Sequence, residues 1–202
     1  MGRLVVTEFV TVDGVFDDPG GSENAEYGGW AFKAERGEEG DKFKVDELNA
    51  ADAQLLGKVT YEGFAAAWPE RSGDLFSDKF NAMPKYVASK TLKNLGWNNS
   101  HLLEGDVAEA VANLKAKKGG DIAIHGSVSL INALLPHRLI DRLHLIVYPI
   151  ALGEGKRLFD AGTAANFTRV ETKPFPKGAV GLVYDLATES QKQAGSKNPV
   201  YG

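Results

Sequence analysis

The sequence predicts an α/β fold built on a mixed, mainly parallel sheet with flanking helices and an antiparallel C-terminal edge. Two observations predict it. Three times in the first two thirds of the chain, an apolar strand-like segment runs into a short polar turn and then a helix-like segment. The last third holds β-rich segments with no helix between them, and such segments are expected to pair antiparallel.

The first half is predicted to alternate strands and helices around one acidic loop. A valine-rich strand opens the chain, and Pro84 is expected to stop the last helix of this half. The predicted elements are strand 3–9, turn 12–16, loop 17–40, helix 42–51, strand 53–56, helix 60–68 and helix 74–83.

The second half is predicted to complete the parallel sheet and then to add the antiparallel edge. The predicted elements are strands 86–88 and 102–103, helix 107–117, strand 121–125, helix 128–135 and strands 139–148, 168–173 and 179–186. We expect residues 1–188 to form one domain, since a chain of 202 residues suits a single core. Residues 189–202 are predicted to be a polar, frayed tail.

Composition excludes several classes of function. A net charge of -4 gives no general attraction to nucleic acid or to an anionic membrane. With no cysteine, the chain has no disulfide, thiolate nucleophile or cysteine-bound zinc, and its four histidines show no metal-binding spacing. No segment resembles a signal peptide or a transmembrane helix. We therefore expect a cytoplasmic protein without a metal, whose partner is a small molecule.

Small polar residues follow three of the predicted strands, as GKVT at 57–60, SKT at 89–91 and GSVS at 126–129. In open α/β sheets, ligands bind at the carboxyl ends of parallel strands. Lysine charges, hydroxyls and helix-start amides suit phosphate groups, so the three ends together favour a dinucleotide. Serine and threonine are also common helix caps, so three ordinary strand–helix turns remain the alternative.

The dinucleotide fingerprint G-x-G-x-x-G is absent from this sequence. The glycines of the GEG segment at 153–155 follow a strand in the antiparallel part instead. A standard Rossmann domain is therefore disfavoured.

Six motifs in order carry a resemblance to a known family. They are TVDG (11–14), AQLLGKVTYE (53–62), KYVASKTL (85–92), DIAIHGSVSL (121–130), LIDRL (139–143) and PIALGEGKRLF (149–159). Over roughly residues 3–187 the chain resembles the dihydrofolate reductase-like superfamily. Within it, the chain resembles the group similar to the C-terminal reductase domain of the riboflavin-biosynthesis deaminase–reductases. The resemblance implies a three-layer fold, and the deaminase's zinc signature is missing.

The resemblance implies NADPH as the cofactor, lying across the sheet. Gly57, Lys58 and Thr60 would hold the central phosphates. Ser89 and Lys90 would contact the adenosine ribose and its 2′-phosphate. The pyrophosphate and nicotinamide side would be lined by Gly126, Ser127, Val128 and Leu130.

No catalytic residue follows from the motifs, but two candidates arise. Asp13 lies in the Asp-Gly turn near the expected nicotinamide, although turn chemistry alone explains that pair. His125 precedes Gly126, where its side chain faces either the cofactor or the neighbouring strand. Dihydrofolate reductases use a helix carboxylate to bind the pterin; Asp41, Asp46 and Glu47 fall in that region without matching by motif.

Three aromatic residues are candidates for a substrate pocket. Trp30 stands in a loop rich in glycine and glutamate, where it has little obvious core to join. Tyr61 and Phe64 follow the phosphate turn on the same predicted helix, and helical spacing also assigns Phe64 to the core.

The resemblance implies an NADPH-dependent reductase that acts on a small heterocyclic or ribosyl-aminopyrimidine substrate. The alternatives are a non-catalytic nucleotide-binding module of the same fold and a dihydrofolate or pteridine reductase. Relatives often pair through their late strands, and residues 139–150 form a long apolar segment. We therefore also expect a homodimer.

Overall fold

The computed structural model describes residues 1–21, 23, 25–117 and 119–187, so the predicted tail 189–202 lies outside the described residues. The strands are β1 (Leu4–Thr11), β2 (Ala51–Gly57), β3 (Lys85–Ala88), β4 (Ser100–Leu102), β5 (Asp121–Ile124), β6 (Arg142–Tyr148), β7 (Phe167–Pro174) and β8 (Val180–Leu186). The helices are α1 (Trp30–Lys33), α2 (Gly37–Ala50), α3 (Lys58–Ala67), α4 (Leu75–Ala82), α5 (Val107–Lys117) and α6 (Val128–Leu134).

One sheet joins these strands in the order β4-β3-β2-β5-β1-β6-β8-β7. Every pairing from β4 to β6 is parallel, while β8 pairs antiparallel with both β6 and β7. The predicted fold class is therefore confirmed: a mainly parallel sheet with an antiparallel C-terminal edge and flanking helices.

Burial follows this division of the sheet. Strand β5 is buried at every residue and β1 at all but one, as expected for parallel strands covered by helices on both faces. The edge strand β7 is exposed at most positions. Among the described residues, no helix is long and apolar enough to cross a membrane.

The predicted loop 17–40 is the main difference between prediction and structure. It contains the short helix α1, and helix α2 begins at Gly37, five residues before the predicted start. Glu38 and Glu39 lie in the first turn of α2, where carboxylates stabilise the helix N-terminus. The acidic residues 38 and 39, which fall in the predicted loop, therefore form the start of helix α2.

Smaller differences concern element ends. Helix α3 begins at Lys58 rather than at residue 60, directly after β2, and its N-cap is Gly57. Strand β6 begins at Arg142 rather than at residue 139. These shifts matter for the site, because the helix that follows β2 starts at the turn itself.

Candidate functional site

The three polar strand ends lie side by side. Strands β3, β2 and β5 are neighbours in the sheet, and their carboxyl ends open into a cavity of about 1250 Å³, which we call the strand-end cavity. Its strand-end wall consists of seven residues from the predicted cofactor site: Gly57, Lys58, Thr60, Ser89, Lys90, Gly126 and Ser127. Val128 and Leu130 of the same prediction also line the cavity.

Hydrogen bonds connect the turn after β2 to the turn after β5. The backbone N–H of Gly57 donates to Oγ of Ser127 over 2.8 Å, and the hydroxyls of Ser127 and Thr60 lie 3.0 Å apart. A Cβ added to Gly57 would lie 2.6 Å from Oγ of Ser127, so this close approach requires glycine. The two turns therefore form one unit of the wall.

The backbone of the second turn is left-handed. Gly126 has φ 60° and Ser127 has φ 65°, a conformation that costs energy for a residue with a Cβ. The Ser127 side chain makes no capping hydrogen bond to helix α6. Helix capping was the alternative explanation for these hydroxyl residues. Ser127 does not act as a side-chain cap; its hydroxyl connects the two turns instead.

Two lysines bring positive charge to the strand-end wall. Lys58 is half-exposed, with Nζ 3.9 Å from Oε1 of Glu62 one helical turn further on. Lys90 is exposed beside Ser89, whose Oγ accepts hydrogen bonds from the backbone N–H groups of Thr91 and Leu92. This wall thus offers hydroxyls, backbone amides and ammonium groups, the donors that phosphates bind.

A second surface of the cavity, the polar floor, was predicted from the sequence only at His125. It consists of the lining residues Thr7, Glu8, Lys44 and His125. Glu8 lies on the central strand β1 with only 6% of its surface exposed, and its Oε1 has no hydrogen-bond partner among the described residues. A glutamate inside the valine-rich strand LVVTEFVT was the signal that sequence reasoning missed.

An ion pair between Lys44 and Glu47 of α2 stabilises the polar floor. The Lys44 ammonium donates to Oγ1 of Thr7 and to Oε2 of Glu47, and Thr7 itself donates to Glu47 over 2.6 Å. Nδ1 of His144 lies 3.2 Å from the other oxygen of Glu47. Burial acts to raise the pKa of Glu47, but the Lys44 charge and the nearby His144 outweigh it, and the pKa falls to about 2.

His125 lies on the floor as a neutral ring. It packs against Phe64 and Phe80 with ring centroids 6.1 and 5.5 Å apart. Burial, helped by the Lys44 charge, lowers the pKa of His125 to about 3. This side chain is therefore not a source of protons near neutral pH.

Asp13, the other predicted catalytic candidate, does not line the cavity. Its carboxylate accepts hydrogen bonds from Oγ1 of Thr11 and from the backbone N–H groups of Leu152 and Gly153. These bonds, that from Thr11 first, lower the pKa of Asp13. The residue ties the turn after β1 to the loop after β6, which is the structural role that turn chemistry alone had offered.

The three aromatic residues predicted for a substrate pocket lie in different parts of the structure. Trp30 is buried in the core at the start of α1, its ring centroid 5.6 Å from that of Tyr148, and its Nε1–H donates to the backbone oxygen of Asp17. Tyr61 is also buried, and its hydroxyl accepts from the backbone N–H of Trp97. Neither lines the cavity, contrary to prediction, because core packing takes both side chains. Phe64 does line it.

Charged pairs surround the mouth of the cavity on the side of α1 and α2. Arg36 pairs with Asp41 over 2.8 Å, and Lys156 pairs with Asp17 over 2.9 Å. On the strand-end wall the corresponding ion pair, that of Lys58 with Glu62, is longer at 3.9 Å. Among the described residues, no group of three histidine or acidic side chains is arranged to hold a metal ion.

A parallel sheet with an antiparallel C-terminal edge and a long cavity across its strand ends defines the dihydrofolate reductase-like class of α/β proteins. Within that class, the family model described as RibD C-terminal domain matches residues 3–181. The chain belongs to this family, and the predicted resemblance is confirmed.

Individual proteins are similar to this chain in sequence or in fold. The chain is 29% identical over 188 residues to the uncharacterized protein YyaP of Bacillus subtilis strain 168, covering 90% of this chain and 94% of that one. A putative riboflavin biosynthesis protein from Shewanella sp. PV-4 has a similar structure, with a TM-score of 0.73 at 20% identity over 92% and 99% of the two chains. Dihydrofolate reductase from Enterococcus faecalis, solved with NADP(H), gives a TM-score of 0.58 at 16% identity over 92% and 97%.

Proposed function

We propose that this protein is an NADPH-dependent reductase that transfers a hydride to a small heterocyclic or ribosyl-aminopyrimidine substrate. Membership of the RibD C-terminal domain family supports the proposal. The observation that carries it is the strand-end cavity, which extends from the two lysines of one wall to the polar floor and the aromatic Phe64. Its volume exceeds the roughly 300–1000 Å³ typical of a pocket for one small molecule, as expected of a cavity for a cofactor and a substrate together.

The residues present fit a phosphorylated dinucleotide. Lys58 and Lys90 would neutralise phosphate charge, and the exposed position of Lys90 beside Ser89 suits a terminal 2′-phosphate. The glycines of the strand-end wall keep the backbone free of Cβ atoms where the two turns meet. When bound, the nicotinamide would supply the hydride. The protein's part is to hold it beside the substrate and to exclude water.

The residues of the polar floor indicate which kind of substrate the cavity would bind. A helix carboxylate open to the cavity would suit a pterin. Of the carboxylates of α2, Asp41 lines the cavity but is paired with Arg36, and the buried Glu47 is bonded to Lys44 and Thr7. The ammonium of Lys44 lines the cavity in its place. The Lys44 ammonium therefore offers a hydrogen-bond donor to a carbonyl or other acceptor group of the substrate.

The cofactor assignment is tested by binding, with Lys90→Ala as the informative variant. We expect Lys90→Ala to weaken NADPH roughly tenfold or more while changing NADH by less than about twofold, because only NADPH carries the 2′-phosphate. Calorimetry with each cofactor measures this. Lys93→Ala, whose lysine is exposed but does not line the cavity, is the matched control.

Three outcomes separate the hypotheses. No detectable binding of NADPH at millimolar concentration overturns the proposal. Equal losses for NADPH and NADH in Lys90→Ala reject the 2′-phosphate assignment alone. Binding of NADPH without its oxidation, across pteridines and ribosyl-aminopyrimidines, favours a nucleotide-binding module without catalysis.

The predicted homodimer rests on the resemblance and on the apolar segment 139–150. The apolar segment 139–150 contains β6, which lies inside the sheet between β1 and β8, with Leu143, Ile146 and Tyr148 buried. Burial in the sheet therefore explains the apolar run without a partner chain. Light scattering coupled to size-exclusion chromatography tests the dimer.

A further inference from the structure

Glu8 is an ionisable side chain in the middle of the sheet. Its strand β1 lies between β5 and β6, and the residue beside it on β6 is Leu145. The side chain lines the strand-end cavity, yet its Oε1 has no hydrogen-bond partner among the described residues. A buried polar atom without a partner is costly, so its position calls for an explanation.

Other buried carboxylates of the described residues have partners. Glu47 is bonded to Lys44 and Thr7, and Asp18 accepts hydrogen bonds from two backbone N–H groups. Their contacts suit the ionised form, which needs donors. Oε1 of Glu47 also has no hydrogen-bond partner, but it lies 3.2 Å from Nδ1 of His144. Glu8 differs because, among the described residues, no lysine, arginine or histidine forms an ion pair with it and its Oε1 meets no donor, which suits a neutral carboxyl group that can donate a hydrogen bond to a ligand.

The charged groups that face Glu8 lie on helix α2. They are Lys44 and Glu47, and the ammonium of Lys44 is already engaged by Glu47 and Thr7. Burial raises the pKa of Glu8 to about 8; Lys44 and the backbone amide of Gly126 oppose the rise, and the Glu47 charge adds to it. The carboxyl group is therefore protonated near neutral pH.

The register of the sheet places Glu8 at the strand-end wall. Val6 of β1 is paired with Ile124 of β5, so Glu8, two residues further along, is level with Gly126. Gly126 belongs to the turn that would hold the dinucleotide. An acid at this position lies between the proposed cofactor wall and the rest of the polar floor.

We propose that Glu8 is the catalytic acid of the strand-end cavity and donates its proton to the substrate atom bonded to the carbon that accepts the hydride. The proposal rests on the reductase function proposed above. In the reduction of a C=N or C=O bond, the π bond breaks, carbon gains the hydride with its two electrons, and the heteroatom gains the Glu8 proton. Oxidation of a bound nicotinamide would balance the reduction. Water then reprotonates the Glu8 carboxylate, which the Lys44 charge stabilises meanwhile.

The protonation state of Glu8 is tested first, without any substrate. Infrared difference spectra of wild type against Glu8→Gln, collected across a pH series, are expected to show a carboxylic acid C=O band that wild type loses with a midpoint near pH 8. Glu47→Gln is the matched control. It should keep the band and lower the midpoint, since the Glu47 charge acts to raise the pKa of Glu8. Absence of a Glu8-dependent band at neutral pH overturns the proposal.

Proton transfer is tested with NADPH and 5-amino-6-(5-phosphoribosylamino)uracil as the probe. Glu8→Gln should lower kcat by roughly 10²- to 10⁴-fold, the usual contribution of a general acid, and leave the Kd for NADPH unchanged. Wild-type kcat should fall as pH rises through about 8, whereas the residual kcat of Glu8→Gln should not follow this titration. Glu8→Asp should restore part of kcat, since it keeps an acid at this position.

The outcomes separate this proposal from the reductase function. A wild-type kcat retained in Glu8→Gln, with NADPH oxidised normally, overturns the role of Glu8 alone. Failure of wild type to bind NADPH overturns the reductase function and the transfer step together. The infrared band would then still identify Glu8 as a neutral hydrogen-bond donor in the cavity.

Discussion

The strand-end wall and the polar floor border the same cavity but are held by different forces. The wall is fixed by neutral hydrogen bonds between two turns, through Gly57, Thr60 and Ser127. The floor is fixed by charges inside the core, where Lys44 and Glu47 lie with their side chains at most a tenth exposed. Neutral hydrogen bonds contribute about 1 kcal/mol each, whereas breaking a buried ion pair costs several. The floor should therefore be the more sensitive surface to substitution.

The largest expected effect is that of Lys44→Met. It leaves the Glu47 carboxylate buried without its cation, and we expect it to lower the free energy of unfolding by about 3–5 kcal/mol. Lys42→Met on the same helix is the matched control, because its pair with Asp46 is exposed and should cost less than about 1 kcal/mol. Urea unfolding measures both.

The double variant Lys44→Met/Glu47→Gln sharpens this comparison. It removes both charges of the pair, so most of the lost stability should return. A Lys44→Met loss no larger than that of Lys42→Met would show that the floor is no more sensitive than the surface.

Glu8 should make the free energy of unfolding depend on pH. Its pKa is about 8 in the folded protein and 4.5 in an unperturbed chain, so between these values the folded state holds a proton that the unfolded state has lost. Stability from this group is fully present below about pH 4.5 and falls as pH rises toward 8. The change is on the order of 3 kcal/mol after allowance for relaxation of the site.

The measurement is the difference in unfolding free energy between wild type and Glu8→Gln at a series of pH values. The difference is needed because His125, with its lowered pKa, makes stability rise with pH between about 3 and 6.5 in both proteins. A difference that stays constant from pH 4.5 to 8 would mean that Glu8 is ionised in the folded protein.

Gly57→Ala tests the strand-end wall. The φ of Gly57 is -80°, so alanine suits the backbone, but its Cβ would lie 2.6 Å from Oγ of Ser127. We expect a loss of about 2 kcal/mol from this overpacking. In a Ser127→Gly background the clash is gone and the same substitution should cost little. An equal cost in both backgrounds would refute the close contact between the turns.

The two surfaces also differ in how far the sequence predicts them. Turns are short-range features, so the glycines, serines and lysines of 57–60, 89–91 and 126–129 mark the strand-end wall directly. The parallel strand order then brings the three ends together, and strand–helix alternation predicts it. This is why the fold class and the position of the predicted cofactor residues follow from the sequence, while their role in binding stays a prediction.

The polar floor depends on contacts between residues far apart in the chain. Thr7 meets Glu47 across 40 positions, and His144 reaches the same carboxylate from β6. On a helix, Lys44 and Glu47 resemble solvated surface charges, and only the packing of α2 against β1 shows that they are buried. Both residues lie within the predicted helix 42–51, yet charged side chains on a helix give no sign of burial in the sequence.

The smallest expected effect is that of Trp30→Phe, which tests whether this ring lies in the core or lines the cavity. Trp30→Phe keeps an aromatic ring against Tyr148 but loses the hydrogen bond from Nε1 to Asp17, so we expect a loss of about 1 kcal/mol in unfolding free energy. The Kd for NADPH should stay within about twofold of wild type, because Trp30 lies in the core and does not line the cavity. The comparison variant is Phe64→Leu, which alters a cavity-lining ring and should change binding of the substrate probe. If Trp30→Phe instead weakened ligand binding tenfold while unfolding stayed at the wild-type midpoint, the assignment of this ring to the core rather than to the cavity would be wrong.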